Sequence, residues 1–194
     1  MTKKESISVT AQTIDPDYDR ITDVLYSFSG LSNIDPAILQ KAAQRGTIVH
    51  NACDTIMLDL PMDDIPHEYK GYIDSFKMWS DGKTFISKPA RFYDSDLMIT
   101  GECDGIYEKD GEITLFDLKT PVREGSTWGM QGSAYAYLAR KLGTKISKVE
   151  FIRLKKNGSY PTIYVYPDLM SDFLICLEVY RRYFKNSKNE ITDF

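Results

Sequence analysis

Apolar residues recur at helical spacing through Ile38, Leu39, Ala42, Ile48, Val49, Ala52, Ile56 and Met57, just after Asp35-Pro36. An Asp at the N-cap with Pro at the first helical position marks the start of a helix running on through that stripe. Asp15-Pro16-Asp17 sets up a shorter helix at about 18–28, and a third spans about 66–80, stopped by the turn signal Asp81-Gly82. The pattern then turns strand-like over about 84–93, 97–108 and 112–119, with Lys109-Asp110-Gly111 joining the last two as a hairpin. Helical spacing returns over about 126–142 and ends near Gly143. Strands at about 147–155 and 161–166 flank Asn157-Gly158, and Asp168 caps a final helix to about 185. The order α, α, α, β, β, β, α, β, β, α predicts a mixed α/β domain with one sheet between helices.

Gly46 lies inside the second helix, where it costs about 1 kcal/mol relative to Ala. A glycine there points to the close approach of another backbone or of a ligand.

A chain of 194 residues suits one domain, here 1–194. Its core is expected at about 36–166, with an N-terminal extension over 1–35 and a C-terminal helix over about 168–186. Such a length buries a core without disulfides or structural metal. With 42% hydrophobic and 27% charged residues and no long apolar run, disorder and a membrane span are excluded. No apolar stretch follows Met1-Thr-Lys-Lys-Glu-Ser, so a cytoplasmic protein is expected. Cys53, Cys103 and Cys176 are far apart and form no C-x-x-C pair, which predicts reduced thiols and argues against zinc or an iron–sulfur cluster.

The net charge of −4 argues against binding nucleic acid by bulk charge alone. Its distribution changes that picture. Residues 141–194 carry 10 basic and 6 acidic side chains, so the C-terminal part can either track a phosphate backbone or form an ordinary solvated surface.

The residues richest in chemistry are Asp104, in Gly101-Glu102-Cys103-Asp104, and Asp117-Leu118-Lys119. Asp117 and Lys119 are two apart on a strand and leave one face, with Ile113 and Leu115. Thr114, Phe116 and Leu118 take the other face, so this reads as a central, doubly buried strand. Asp104, expected on the neighbouring hairpin strand, converges on the same point. Two carboxylates at one site repel, and a hard divalent cation relieves that repulsion. A lysine beside them can orient water or stabilise charge on a phosphate. The plainer reading of a lone D-x-K is an ion pair at a strand end.

Gln131 and Tyr135 share a helix face four residues apart, and His50 lies one turn after Gly46, with Asp54 as a candidate partner. Asp59, Asp63, Asp64 and Glu68 form an acidic patch of the solvated type, and His67 reads as a surface residue. Tyr160, Tyr164, Tyr166, Tyr180, Tyr183 and Phe184 read as packing residues. Arg153, Lys155, Lys156, Arg181 and Arg182 are the candidates for DNA backbone contacts.

The ordered set Gly46 to His50, Gly101 to Asp104, Asp117 to Lys119 and Gln131 to Tyr135 resembles the RecB-like branch of the PD-(D/E)XK nuclease superfamily. The stretch from Leu25 to His50 looks like phage-type exonuclease members of that branch, and the resemblance covers about 20–166. It implies a restriction-endonuclease-like αβββαβ core, a central mixed sheet flanked by helices with extra helices at both ends. It also implies Mg²⁺ or Mn²⁺ held by Asp104, Asp117 and the Leu118 carbonyl, with His50 completing or flanking the site. Lys119 would position or deprotonate water, while Gln131 and Tyr135 orient the catalytic groups or a phosphate.

The implied activity is metal-dependent DNA hydrolysis, exonucleolytic by preference, in phage or bacterial recombination and repair. A single-strand annealing or other recombination protein is the implied partner, and an oligomer is compatible. One departure stands out: the glutamate many members carry before the G-x-x-D glycine is missing from Ser87-Lys-Pro-Ala-Arg-Phe-Tyr-Asp94. Glu102 either compensates or is an exposed, salt-bridged residue. Two other readings stay open, a nuclease-fold DNA-binding or assembly subunit with little cleavage and a structure-specific endonuclease.

Overall fold

The computed structural model describes residues 15–185 apart from 63 and 88–90. Asp63 of the acidic patch lies outside the described residues.

The N-terminal helix is shorter than the sequence pattern predicts. A two-residue strand β1 (Asp19–Arg20) runs straight into α1 (Ile21–Tyr26), because Asp19 pairs in parallel with Ile99. Helix α2 (Pro36–Met57) starts as expected, with Asp35 accepting the Ala37 N–H at 2.7 Å. Only its second half is seated: Val49, Ala52 and Cys53 are buried while Ile38 is exposed. A 3-10 turn at His67–Tyr69 leads into α3 (Lys70–Ser80), and His67 is exposed.

The two long strands expected next each split in two. The first gives β2 (Thr84–Ser87) and β3 (Phe92–Asp94), the second β4 (Ile99–Gly101) and β5 (Gly105–Lys109). Phe92 pairs with Gly101 and Ser87 with Ile106 in one antiparallel register, while Thr84 and Phe85 sit one residue out of it across a bulge. Arg91 and Glu102 fall opposite each other in that register and form a salt bridge at 3.0 Å. The strand that carries β4 and β5 bends at 102–104. It crosses from a small sheet, β1-β4-β3, into a five-stranded sheet, β2-β5-β6-β7-β8, in place of the single sheet expected.

Strand β6 (Glu112–Lys119) is central, antiparallel to β5 and parallel to β7 (Lys148–Arg153), with α4 (Trp128–Lys141) as the crossover. The β5–β6 turn follows its sequence signal: Asp110 and Gly111 both have positive φ, 53° and 82°. Strand β8 (Thr162–Tyr164) closes the edge, and α5 (Met170–Tyr183) follows, with Asp168 accepting the Met170 N–H at 2.9 Å. From α3 through β2, β5, β6 and α4 to β7 the chain follows the αβββαβ order.

Two apolar cores flank the main sheet. Leu115 packs with α1, α4 and α5 around Ile21, Ala134, Leu138 and Phe173. Phe116 and Leu118, on the opposite face, pack with α2 and α3 around Val49, Phe76 and Trp79. The alternation read from β6 is thus observed, and it delivers Asp117 and Lys119 to the α4 side. Cys53, Cys103 and Cys176 are free thiols. No helix among the described residues is long and apolar enough to cross a membrane.

Candidate active site

The predicted polar residues converge where β6 outruns β5. The last β5–β6 pair is Gly105 with Phe116, so the Leu118 amide has no strand opposite it. Asp104, in the bend before β5 and not on the strand as expected, fills that place: its Oδ2 accepts the Leu118 N–H at 2.6 Å. A strand residue points its N–H and C=O to the same side, so the Leu118 carbonyl also faces the Asp104 side.

Asp104 Oδ1 meets His50 Nδ1 at 2.9 Å, and since an ionised carboxylate only accepts, the imidazole donates. His50 thus takes a partner from across the fold, where the sequence suggested Asp54. Burial pulls the His50 pKa down, but the facing Asp104 more than offsets it and leaves it above the usual value. Asp104 is pushed up by burial and pulled further down by His50 and the Leu118 amide, ending below the ordinary carboxylate range.

Asp117 is 5% exposed. Lys119 Nζ stands 2.6 Å from its Oδ2 as an ion pair, and this buried oxygen has no further donor among the described residues. Burial raises Asp117 to a pKa of about 6; Lys119 opposes the rise and the nearby Asp104 adds to it. Lys119 continues the chain of contacts, donating to Gln131 Oε1 at 3.1 Å, and Gln131 Nε2 donates to the Tyr135 hydroxyl at 2.9 Å. The ammonium also lies over Phe151 and Trp128, 5.2 and 5.7 Å from the ring centres. Burial and the Asp117 charge hold the Tyr135 phenol well above its usual pKa.

Gly101 has a packing reason: a Cβ there would come within 2.6 Å of Tyr135 Cε1 and 2.7 Å of Ile21 Cδ1. Of the two reasons expected for Gly46, another backbone or a ligand, the first is not seen among the described residues. A Cβ at Gly46 would meet nothing within 4 Å among the described residues outside its own helix backbone, so the space above it is open there. Beside it Arg45 Nε donates to Thr120 Oγ1 at 3.3 Å, a contact the motifs gave no sign of. The proximity of Arg45 to Gly46 and of Thr120 to Lys119 in the sequence was its only signal.

Other candidates lie elsewhere. Glu102 is held by Arg91, the salt-bridged alternative, and Asp94 is buried against Lys141. Arg181 is spent on Asp19 at 2.7 Å and on the Leu97 and Met98 carbonyls, and Arg182 pairs with Glu178 at 2.8 Å. Neither arginine joins Arg153, Lys155 and Lys156 at the end of β7. Tyr180 is buried and Tyr164 stacks on Tyr166, as packing residues do, while Tyr183 and Tyr160 are exposed.

Among the described residues no group of three or more His, Cys, Asp or Glu side chains is placed to hold a metal ion. The donor types do suit a hard divalent cation: two carboxylates, one with a buried oxygen that has no donor beyond Lys119 among the described residues, an imidazole and a backbone carbonyl. In this arrangement Lys119 supplies positive charge to Asp117 and His50 a hydrogen-bond donor to Asp104.

No family model matches the chain, and no curated protein matches it. Among solved structures, SSO0001 superposes with a TM-score of 0.50 at 12% identity, over 89% of this chain and 79% of that one. That likeness is one of fold. An alkaline exonuclease (LHK-Exo) from Laribacter hongkongensis gives a TM-score of 0.42 at 12% identity, over 91% of this chain and 95% of its own.

Proposed function

We propose that the chain is a metal-dependent deoxyribonuclease of the RecB-like PD-(D/E)XK type, acting as an exonuclease in DNA recombination or repair in a bacterial or phage-infected cytoplasm. The observation that carries this reading is the convergence of four separate sequence motifs on one strand end. His50, Asp104, Asp117, Lys119, Gln131 and Tyr135 come from α2, the β4–β5 bend, β6 and α4 to join in two hydrogen-bonded or ion-paired chains. Packing alone gives no reason to gather a buried carboxylate, Asp117, and a half-buried one, Asp104, there.

Asp104, Asp117 and the Leu118 carbonyl would hold Mg²⁺ or Mn²⁺, with His50 beside Asp104. The metal supplies activation of water and charge neutralisation at the phosphate. Lys119, steadied by Gln131 and the two rings, positions the attacking water or takes its proton. Tyr135 fixes Gln131. His50 keeps Asp104 ionised and aimed. Partners in this reading are DNA and a single-strand annealing or other recombination protein.

A second reading is a nuclease-fold DNA-binding or assembly subunit. The lack of a three-ligand metal cluster among the described residues, together with the missing upstream glutamate, favours it. Cleavage of end-labelled linear DNA with Mg²⁺, Mn²⁺ or EDTA separates the two, using wild type, Asp117→Ala and Lys119→Ala. Metal-dependent release of label by wild type alone supports the nuclease. DNA binding without cleavage in either metal leaves the binding subunit, and fragments from end-blocked DNA point to an endonuclease.

A further inference from the structure

Two cations at the C-terminal end of β7 are held by a hydroxyl where a carboxylate would be expected. Arg153 Nη2 donates to Thr162 Oγ1 at 3.3 Å, and Lys155 Nζ donates to the same oxygen at 2.5 Å. Arg153 also donates to the Val122 carbonyl, and its Nε is buried without a partner among the described residues. No acid among the described residues pairs with Arg153, Lys155 or Lys156. The contrast with the rest of the molecule is sharp. Lys141 has Asp94 and Asp96, Arg181 has Asp19, Arg91 has Glu102, and Lys119 has Asp117.

A threonine hydroxyl can accept both donors but brings no charge. Two like charges sharing it repel, and burial together with Arg153 draws the Lys155 ammonium below its usual pKa. Such a pair is short of one anion. The space for it is present: Thr120, Val122, Arg153, Lys155, Lys156 and Asn157 line a cleft of about 320 Å³. On β6, Lys119 pairs in register with Arg153 of β7, so the cleft opens one strand spacing from the candidate active site. Arg45 reaches Thr120 from α2 and adds a third cation beside it.

We propose that this cleft is an anion subsite that seats a backbone phosphate of the DNA strand next to the phosphate being cut, with Arg153 and Lys155 as its ligands. The proposal rests on the DNA-binding part of the functional reading, not on cleavage. The stacking of the Arg153 guanidinium over Tyr164, 5.6 Å from the ring centre, fixes its orientation in advance.

The test is binding of a labelled DNA duplex by the full chain across a salt series, once with Ca²⁺ and once with EDTA. The proteins are wild type, Lys155→Gln, Thr162→Asp and, as the control, Lys145→Gln, which removes the same charge just before the other end of β7. Lys155→Gln should weaken binding roughly fivefold at low salt on every sequence, and should reduce the slope of log K against log salt by about 1. Thr162→Asp gives the two cations their counter-charge, so it should raise Tm while weakening DNA binding. Lys145→Gln should keep the wild-type slope. Wild-type slopes in both Lys155→Gln and Thr162→Asp, or an equal loss in Lys145→Gln, would overturn the subsite and leave the DNA reading standing. A wild type that binds no duplex with Ca²⁺ or EDTA would overturn both.

Discussion

The Asp104 carboxylate takes the place of a backbone: its Oδ2 accepts the Leu118 N–H at 2.6 Å where strand β5 would have supplied a carbonyl. The same side chain therefore ends a β-ladder and faces His50 with its other oxygen.

That double role separates two substitutions. Asp104→Ala leaves the Leu118 amide and the His50 imidazole unpaired and should cost about 3 kcal/mol. Asp104→Asn keeps an acceptor for the amide and should fold with little loss, yet cut DNA at least about 100-fold more slowly. Denaturation and single-turnover cleavage on the two variants measure both effects. An unstable Asn variant, or an active one, contradicts this account of Asp104.

Asp117 is an ionised group that the fold disfavours. With its pKa raised to about 6, the folded chain binds an extra proton between the ordinary carboxylate range and pH 6. Stability carried by that proton is complete at low pH and lost as pH rises through 6. Asp117→Asn should therefore be more stable than wild type at pH 8, by roughly 6–12 °C in Tm, with the gain shrinking toward zero as pH falls to about 4. The variant should have no nuclease activity. A Tm difference that does not change with pH would show that Asp117 is not held this way.

The contacts of Tyr135 make it a positioning residue. Tyr135→Phe removes the acceptor for Gln131 Nε2, in a side chain that is 7% exposed, and should cost roughly 1–3 kcal/mol. Because Gln131 also holds Lys119, kcat should fall about tenfold while KM stays near wild type. A raised KM with kcat unchanged would place Tyr135 in substrate binding.

Two glycines should respond in opposite ways. Gly101→Ala drives a methyl into Tyr135 and Ile21, and should destabilise by about 1–3 kcal/mol. Gly46→Ala meets no other part of the fold among the described residues and should stabilise α2 by about 1 kcal/mol. If the open space above Gly46 receives DNA, that stabler variant should show a raised KM. Chemical denaturation and steady-state kinetics on the pair decide the matter.

Local signals in the sequence carried much of the fold. Asp35-Pro36 placed the start of α2, Asp110-Gly111 the β5–β6 turn, and the alternation along β6 the face that Asp117 and Lys119 share. Long-range choices were less legible. The bend at Glu102–Asp104 follows from how the hairpin is divided between two sheets, and no period in the sequence records it. His50 found Asp104, 54 residues away, where helical spacing offered Asp54. The exposed first half of α2 carries an apolar stripe that spacing alone reads as buried. Thr162 gave no hint from its neighbours that it holds two cations.

The bent hairpin also sets the order in which the site is assembled. Asp104 and Leu118 are 14 residues apart and meet through one tight turn, while His50 must arrive from 54 residues away. Hairpin closure takes microseconds, and contacts distant in sequence form later. The two carboxylates, with Lys119 beside Asp117, are thus brought together before the imidazole that partners Asp104, and docking of α2 is the step that completes the Asp104 contacts.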